Sequence, residues 1–163
     1  MNPPPPHARP GRVELRPVCP DDLPVMHACE ADPVGNALAG VKPRDRDAYL
    51  AHWEKVLADT AVVPRAILAD GVLAGSIACF ERDGEAFVGY WIRREYWGLG
   101  VTSRALGLLL EEVDRRPLHA RVSAHNAASI RILERHGFVA TGRTDEPETE
   151  RYRAGPVIAY RLG

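Results

Sequence analysis

The feature that most restricts this chain is a pair of Asp-Gly dipeptides, Asp70-Gly71 and Asp83-Gly84, each set between apolar runs. Asp-Gly suits a two-residue hairpin turn, whose central positions both take positive φ. The segments "VVPRAILAD", "VLAGSIACFE" and "EAFVGYWI" are thereby predicted to form a meander of three antiparallel strands. A chain of 163 residues committed to such a sheet is most simply one domain, long enough for a real core and short for two.

Helical signals flank the meander. Before it, "VELRP" reads as a short strand, and Asp21 and Asp22 suit the start of a helix through "LPVMHACEAD". The Gly- and Pro-containing "DPVGNALAGVKP" reads as a loop, after which Asp45 begins a helix carrying Tyr49, Trp53, Val56 and Leu57 near one face. After the meander, Leu106, Leu109, Leu110 and Val113 follow the i, i+3, i+4, i+7 spacing of an apolar helix face. Then come a strand, "LHARVSA", a helix from Asn126 to the stop at Gly137, and two strands, "FVATGR" and "VIAYRL", around the acidic loop "TDEPETERYR". The predicted order is strand, two helices, three strands, helix, strand, helix, two strands, a mixed α/β (α+β) sheet layered with helices.

The opening "MNPPPPHARPGR" has no apolar signal core, and its prolines favour an extended tail. Residues 1–11 are read as a flexible Pro-rich tail and 12–163 as the domain. No apolar run approaches the roughly 20 residues of a membrane span, so cytoplasm is the expected location and no membrane partner is expected. The formal net charge of −1 gives no overall basic footprint, which argues against nucleic acid as a partner. Cys19, Cys29 and Cys79 are odd in number and lack CxxC spacing, so neither a disulfide framework nor a metal site is expected.

Chemistry concentrates in two segments. The stretch "REYWGLGVTSRALGLLLEEV" carries Gly98 and Gly100 between an apolar strand and a helix. The first N–H groups of a helix lack intrahelical partners and sit at the positive end of its dipole. Glycine lets a ligand approach that backbone closely, so the loop from Gly98 through Leu99, Gly100, Val101 and Thr102 to Ser103 suits a pyrophosphate. A simple strand-to-helix turn with Ser103 as N-cap explains the same residues. A dinucleotide fingerprint needs a third Gly where Ser103 stands, and a P-loop needs Gly-Lys-Ser/Thr; both are excluded. In the second segment, "HNAASIRILERHGF", Asn126 is either an N-cap or a binder of ligand amides, and Ser129 either a solvated serine or a proton donor.

Together, "GYWIRREYWGLGVTSRAL" and "HARVSAHNAASIRILERHGF" resemble the GNAT acetyltransferase superfamily, in particular its branch similar to the ribosomal-protein-alanine N-acetyltransferases. The resemblance runs from about Val13 to the C-terminus. It implies a mixed, mostly antiparallel sheet flanked by helices, with a splayed pair of parallel strands, "EAFVGYWI" and "LHARVSA". Acetyl-CoA, the implied co-substrate, then pairs its pantetheine arm with backbone groups of Trp91, Ile92 and Arg93 and places its pyrophosphate on Gly98 to Ser103. Asn126 orients the pantetheine end and Ser129 protonates the departing thiolate. Trp97 and Thr102 stand where the superfamily loop more often has Gln/Arg and Gly/Ala. Phe87 occupies a place where many relatives carry an acidic residue, so the general base is sought among Glu81, Glu85, His125 and water.

The implied activity is direct transfer of acetyl from acetyl-CoA to a primary amine: a protein N-terminus, a peptide or a small amine. Deprotonating a Lys amine near neutral pH costs roughly 4 kcal/mol, against less than about 1 kcal/mol for an α-amine. A chain without an evident base therefore favours the α-amine or another amine of low pKa. Wall residues for the acceptor are sought among His27, Tyr49, Trp53 and Tyr152, with Asp145, Glu146, Glu148 and Glu150 as attractors of a cation. The alternative expectation is a catalytically weak acyl-CoA-binding regulatory module, motivated by Thr102 and Phe87. Monomer and homodimer are both compatible with the sequence.

Overall fold

A computed structural model describes residues 8–163. The expected tail therefore lies outside the described residues from 1 to 7. Seven strands form one sheet in the order β1-β2-β3-β4-β5-β7-β6. They are β1 (Val13–Pro17), β2 (Val63–Ala69), β3 (Val72–Arg82), β4 (Glu85–Ile92), β5 (Leu118–Ser123), β6 (Val139–Glu146) and β7 (Gly155–Leu162). Helices α1 (Leu23–Glu30), α2 (Pro33–Ala39) and α3 (Arg46–Ala58) separate β1 from β2. Helix α4 (Val101–Glu112) joins β4 to β5, and α5 (Ala127–Arg135) joins β5 to β6.

The Asp-Gly turns form as their chemistry requires: φ is 47° at Asp70 and 80° at Gly71, and 52° at Asp83 and 80° at Gly84. They set the β2–β3 and β3–β4 pairings, both antiparallel. Helices cover both faces of the sheet. On one face, Leu106 and Leu109 of α4 and Leu133 of α5 pack with Ile67, Ile77 and Leu118 in the larger core. On the other, Val18, Leu23, Met26, Tyr49 and Trp53 pack over Ala66. Ala66 and Ile67 are neighbours in β2 and fully buried on opposite sides, as strand alternation demands when both faces are covered.

Two expectations are corrected. The stretch read as a loop holds α2, because Asp32 caps it by accepting from the Val34 N–H at 3.2 Å and Gly40 ends it at φ 67°. Its Gly35 lies against two indoles: a Cβ there would stand 3.4 Å from the Trp91 ring and 3.7 Å from the Trp97 ring, ordinary contact distances. The acidic loop also starts later than expected, since Thr144, Asp145 and Glu146 pair with β7 as part of β6.

The sheet opens at one place. β3 follows β4 for eight positions, to Gly75 opposite Ile92, whereas β5 pairs with β4 in parallel only at Ala86–Leu118 and Phe87–His119. Beyond Phe87 the two parallel strands diverge, leaving the β5-facing edge of β4 free of strand partners. That divergence is the splayed pair implied by the resemblance.

Candidate active site

The opening is lined from β4 upward. Side chains alternate along a strand, and so do the backbone groups facing each neighbour. The Arg93 N–H donates to the Ala74 carbonyl at 2.8 Å, so it faces β3. By alternation the backbone of Tyr90 and Ile92 faces the opening. The Ile92 carbonyl already accepts the indole N–H of Trp97 at 3.0 Å, which folds Trp97 back against this edge. Of the three positions assigned to pair with a pantetheine arm, Ile92 faces the opening, while Trp91 and Arg93 direct their backbone toward β3.

At the end of β4 the chain passes through a 3-10 turn, Arg94–Tyr96, into the glycine loop. Gly98 at φ 72° and Gly100 at φ 76° both occupy the left-handed region where glycine costs least. Gly100 is the N-cap of α4, and among the described residues no side chain caps the helix. The amides of Val101, Thr102 and Ser103 in the first turn are thus left to whatever approaches from outside. Ser103 has a side-chain partner instead: its hydroxyl lies 3.0 Å from His136 Nε2, tying α4 to the end of α5. Leu99 packs partly buried against the main core and holds the loop in place.

Across the opening, α5 begins where β5 ends. The Asn126 side-chain oxygen accepts the Ser129 N–H at 3.2 Å, so Asn126 is an N-cap. Its amide nitrogen is not consumed by that bond. The Ser129 hydroxyl lies 2.7 Å from the Tyr90 hydroxyl, in a hydrogen bond linking α5 to the edge of β4. Burial pushes the Tyr90 phenol pKa up, and the Ser129 hydrogen bond pulls it back by less. Tyr90 therefore stays a neutral donor at physiological pH. Sequence reading missed this tyrosine, although its alternation with Gly89 and Trp91 in a free-edged strand was visible.

The acidic candidates for the base are displaced. Glu81 and Glu85 flank the β3–β4 turn, at the end of β4 remote from the opening. At ~3.3 Å per residue, Glu85 lies roughly 16 Å along the strand from Tyr90, which removes both as direct bases. Glu85 instead approaches His119 at 3.7 Å, and Glu81 approaches Arg115 at 3.9 Å. Phe87 stacks between Phe80 and His119, with ring centroids 5.9 and 5.4 Å away, and acts as packing. His125 stays exposed beside Asn126, at the correct end of β5.

Helix α2 lies across the mouth. A Cβ on Gly35 would lie 3.4 Å from the Trp91 ring of β4, and one on Gly40 would lie 4.0 Å from the Ser123 side chain of β5. The β6–β7 connection closes the side: Val41 bridges Tyr152, Lys42 N–H donates to the Arg151 carbonyl at 2.7 Å, and the Arg151 guanidinium donates back to the Lys42 carbonyl. Of the expected wall residues, Tyr49 and Trp53 are buried core, and His27 Nε2 hydrogen-bonds the Arg44 carbonyl at 3.1 Å. Tyr152 is exposed. The acidic attractors are partly spent on neighbours, Glu146 on Arg121 at 2.7 Å and Glu148 on Lys42 at 3.3 Å. Among the described residues no helix is long and apolar enough to cross a membrane, and no cluster of metal-ligating side chains forms.

Comparison with known proteins gives this geometry a context. Residues 12–139 match the acetyltransferase (GNAT) domain family. Over 105 residues the chain is 29% identical to "Putative ribosomal N-acetyltransferase YdaF" of Bacillus subtilis (strain 168), covering 60% of this chain and 57% of that one. The chain thus spans less than two thirds of the length of this curated relative. Among solved structures, spermidine N-acetyltransferase from Vibrio cholerae, in complex with CoA and spermine, superposes with a TM-score of 0.77 at 20% identity, covering 92% and 94% of the two chains. An acetyltransferase from Salmonella typhimurium that modifies the N-terminal serine of ribosomal protein L7/L12 gives 0.74 at 19%, covering 93% and 95%. These two establish likeness of fold. With the family match spanning residues 12–139, most of the sequence, the chain belongs to the GNAT acetyltransferase family.

Proposed function

We propose that the protein transfers an acetyl group from acetyl-CoA to a primary amine, an α-amine or small amine before a Lys side chain. The observation that carries this reading is the Tyr90–Ser129 hydroxyl pair at 2.7 Å, spanning the divergence of β4 and β5 beside an uncapped helix N-terminus. The fit to the co-substrate can be tested on the chain itself. Gly98 and Gly100 lack the Cβ atoms that would crowd an anion, and among the described residues the α4 amides lack other partners in their first turn. The pantetheine arm of acetyl-CoA is a strand-like backbone with its own amides, and the Tyr90 and Ile92 backbone offers it an edge with no strand partner, the Ile92 carbonyl being shared with the Trp97 indole.

In this reading the β4 edge would orient the thioester, and the Tyr90 N–H, facing the opening, would serve as a backbone donor for the charge developing on its carbonyl oxygen. The amine nitrogen forms the new C–N bond as the C–S bond breaks, and the thiolate takes a proton. Tyr90 and Ser129 supply that proton as one hydrogen-bonded unit, which improves on Ser129 acting alone. The amine must enter neutral. With Glu81 and Glu85 removed, His125 or water receives its proton, which favours an amine that is already partly deprotonated. Gly98 to Ser103 hold the pyrophosphate, and Asn126, capping through its oxygen, offers its amide N–H groups to the arm. The acceptor approaches under α2 and the β6–β7 connection. A cytoplasmic location remains part of the proposal, as does action as a monomer or homodimer without nucleic acid.

Calorimetric titration with acetyl-CoA, followed by an amine screen read as thiol release, tests the proposal. Saturable binding, with turnover highest on α-amine peptides or small amines, is expected. Folded protein that binds no acetyl-CoA would overturn it.

A further inference from the structure

The segment before β1 is fastened at the mouth of the glycine loop. Arg104, in the first turn of α4, donates to the carbonyls of Pro10 at 2.7 Å and Gly11 at 2.9 Å. From the other side, the Gly11 and Arg12 N–H groups donate to the Asp70 carboxylate at 3.1 and 2.8 Å, and Asp70 N–H returns a bond to the Arg12 carbonyl at 2.8 Å. Pro10 is buried. The direction of the chain is therefore fixed up to Arg9.

That direction delivers the Arg9 guanidinium onto the loop. A Cβ placed on Gly100 would meet Arg9 Nη2 at 2.7 Å and its Cζ and Nε at 3.1 Å. Gly100 is the N-cap of α4, where the helix dipole is positive and the first amides point outward. A cation at this end of a helix is repelled unless an anion lies between them. Among the described residues no carboxylate forms an ion pair with Arg9, and Arg104, the other cation of the first turn, is engaged by two carbonyls. The missing negative charge matches the pyrophosphate assigned to the loop.

We infer that Arg9 is part of the co-substrate site, its guanidinium donating to pyrophosphate oxygens from the side opposite the α4 amides, with Arg104 as the positioning residue that aims it. This inference rests on the acetyl-CoA reading and adds a contact from outside the Gly98–Ser103 loop. A planar guanidinium suits phosphate oxygens, and its exposed position makes the contact sensitive to salt.

The test compares wild-type protein, Arg9→Ala and Arg104→Met by calorimetry with CoA, 3′-dephospho-CoA and S-acetyl-pantetheine. Arg9→Ala is expected to weaken CoA and dephospho-CoA alike, by roughly tenfold for a charge-assisted contact. It should leave S-acetyl-pantetheine binding and the melting temperature unchanged and flatten the salt dependence of CoA affinity. Arg104→Met should lower CoA affinity in the same direction although Arg9 is intact. Wild-type protein that binds CoA while Arg9→Ala binds it equally overturns the Arg9 inference and leaves the transferase reading standing. Tighter binding by Arg9→Ala means that Arg9 covers the loop, and also overturns it. A loss seen with CoA and absent with dephospho-CoA moves Arg9 to the 3′-phosphate and overturns the pyrophosphate assignment. Wild-type protein that binds no CoA sinks both readings together.

Discussion

Tyr90 and Ser129 are 39 residues apart in sequence and share one hydrogen bond at 2.7 Å. If they deliver a proton as a unit, removing either hydroxyl breaks the same path. Tyr90→Phe and Ser129→Ala are each expected to lower kcat by about 10²-fold, the lower end of what acid–base groups contribute. The double variant should be little worse than either single one, because groups acting as a unit are strongly non-additive. The KM for acetyl-CoA should stay near the wild-type value. Steady-state thiol release over the four proteins checks this, and additive losses would separate the two roles. The raised phenol pKa of Tyr90 sets the pH behaviour. Its donor form persists to alkaline pH, so the acidic limb of the profile should belong to the amine and its base and be unmoved in Tyr90→Phe.

At the scale of elements, two junctions can be tested, one at the edge of the opening and one that fastens α1 to the sheet. The first is the crossing of β3 and β4. A Cβ on Gly75 would stand 2.0 Å from the Trp91 carbonyl oxygen and 3.0 Å from Ile92 Cα, both backbone atoms that cannot swing aside. Gly75→Ala is therefore expected to cost at least the upper end of the ~1–3 kcal/mol typical of overpacking. It should also displace the end of β4, so CoA affinity falls even where the protein remains folded. Chemical denaturation and calorimetry on one preparation check both effects. The second junction joins β1 to α1. Arg16 donates twice to the Asp22 carboxylate, at 2.7 and 2.8 Å, and the Cys19 N–H adds a third bond at 2.9 Å. These bonds, the Arg16 pair first, hold the Asp22 pKa down at about 2 against an ordinary 3.8. A depressed acid stabilises the fold above its unfolded value and loses that contribution as pH falls through its folded one. Asp22→Asn should thus melt lower than wild type at pH 7, by about 1–3 kcal/mol for lost charged hydrogen bonds. The gap should close between roughly pH 4 and pH 2 in thermal melts.

Across the whole molecule, local chemistry was the legible part. The Asp-Gly turns, the α4 apolar face and the Gly137 stop each write their geometry into neighbouring residues. The splayed pair itself came from the resemblance carried by the two linked motifs and from no local signal, and what stayed hidden depends on distant partners. Helix α2 packs Gly35 against Trp91 and Trp97, and a lone Gly beside Pro33 reads as a loop until those distant partners are in place. Tyr90 looks like ordinary core in a strand until α5 brings Ser129 to it. The β6–β7 connection is of the same kind, since its acidic residues read as a solvated loop while Arg151 ties it to Lys42. Arg151 is also desolvated, which lowers its pKa, with the Arg44 charge acting in the same sense and Glu30 opposing. Glu30 in turn has its pKa raised by burial, and the Arg151 charge is the largest influence restraining that rise. Removing Arg151 must therefore push Glu30 higher still. An acid whose pKa is raised by folding destabilises the native state most where it is charged, above its unfolded value near 4.5. Arg151→Ala is thus expected to be less stable than wild type at pH 8 and to approach it as pH falls toward 4.5. Residues 148–153 should exchange amide hydrogens on the order of tenfold faster as the loop releases Lys42. Exchange in α4 should stay as it is, because the main core on the other face of the sheet is untouched. On an acceptor amine from the screen, KM should rise while acetyl-CoA affinity holds. A variant that loses acetyl-CoA affinity first would place this loop on the co-substrate side instead.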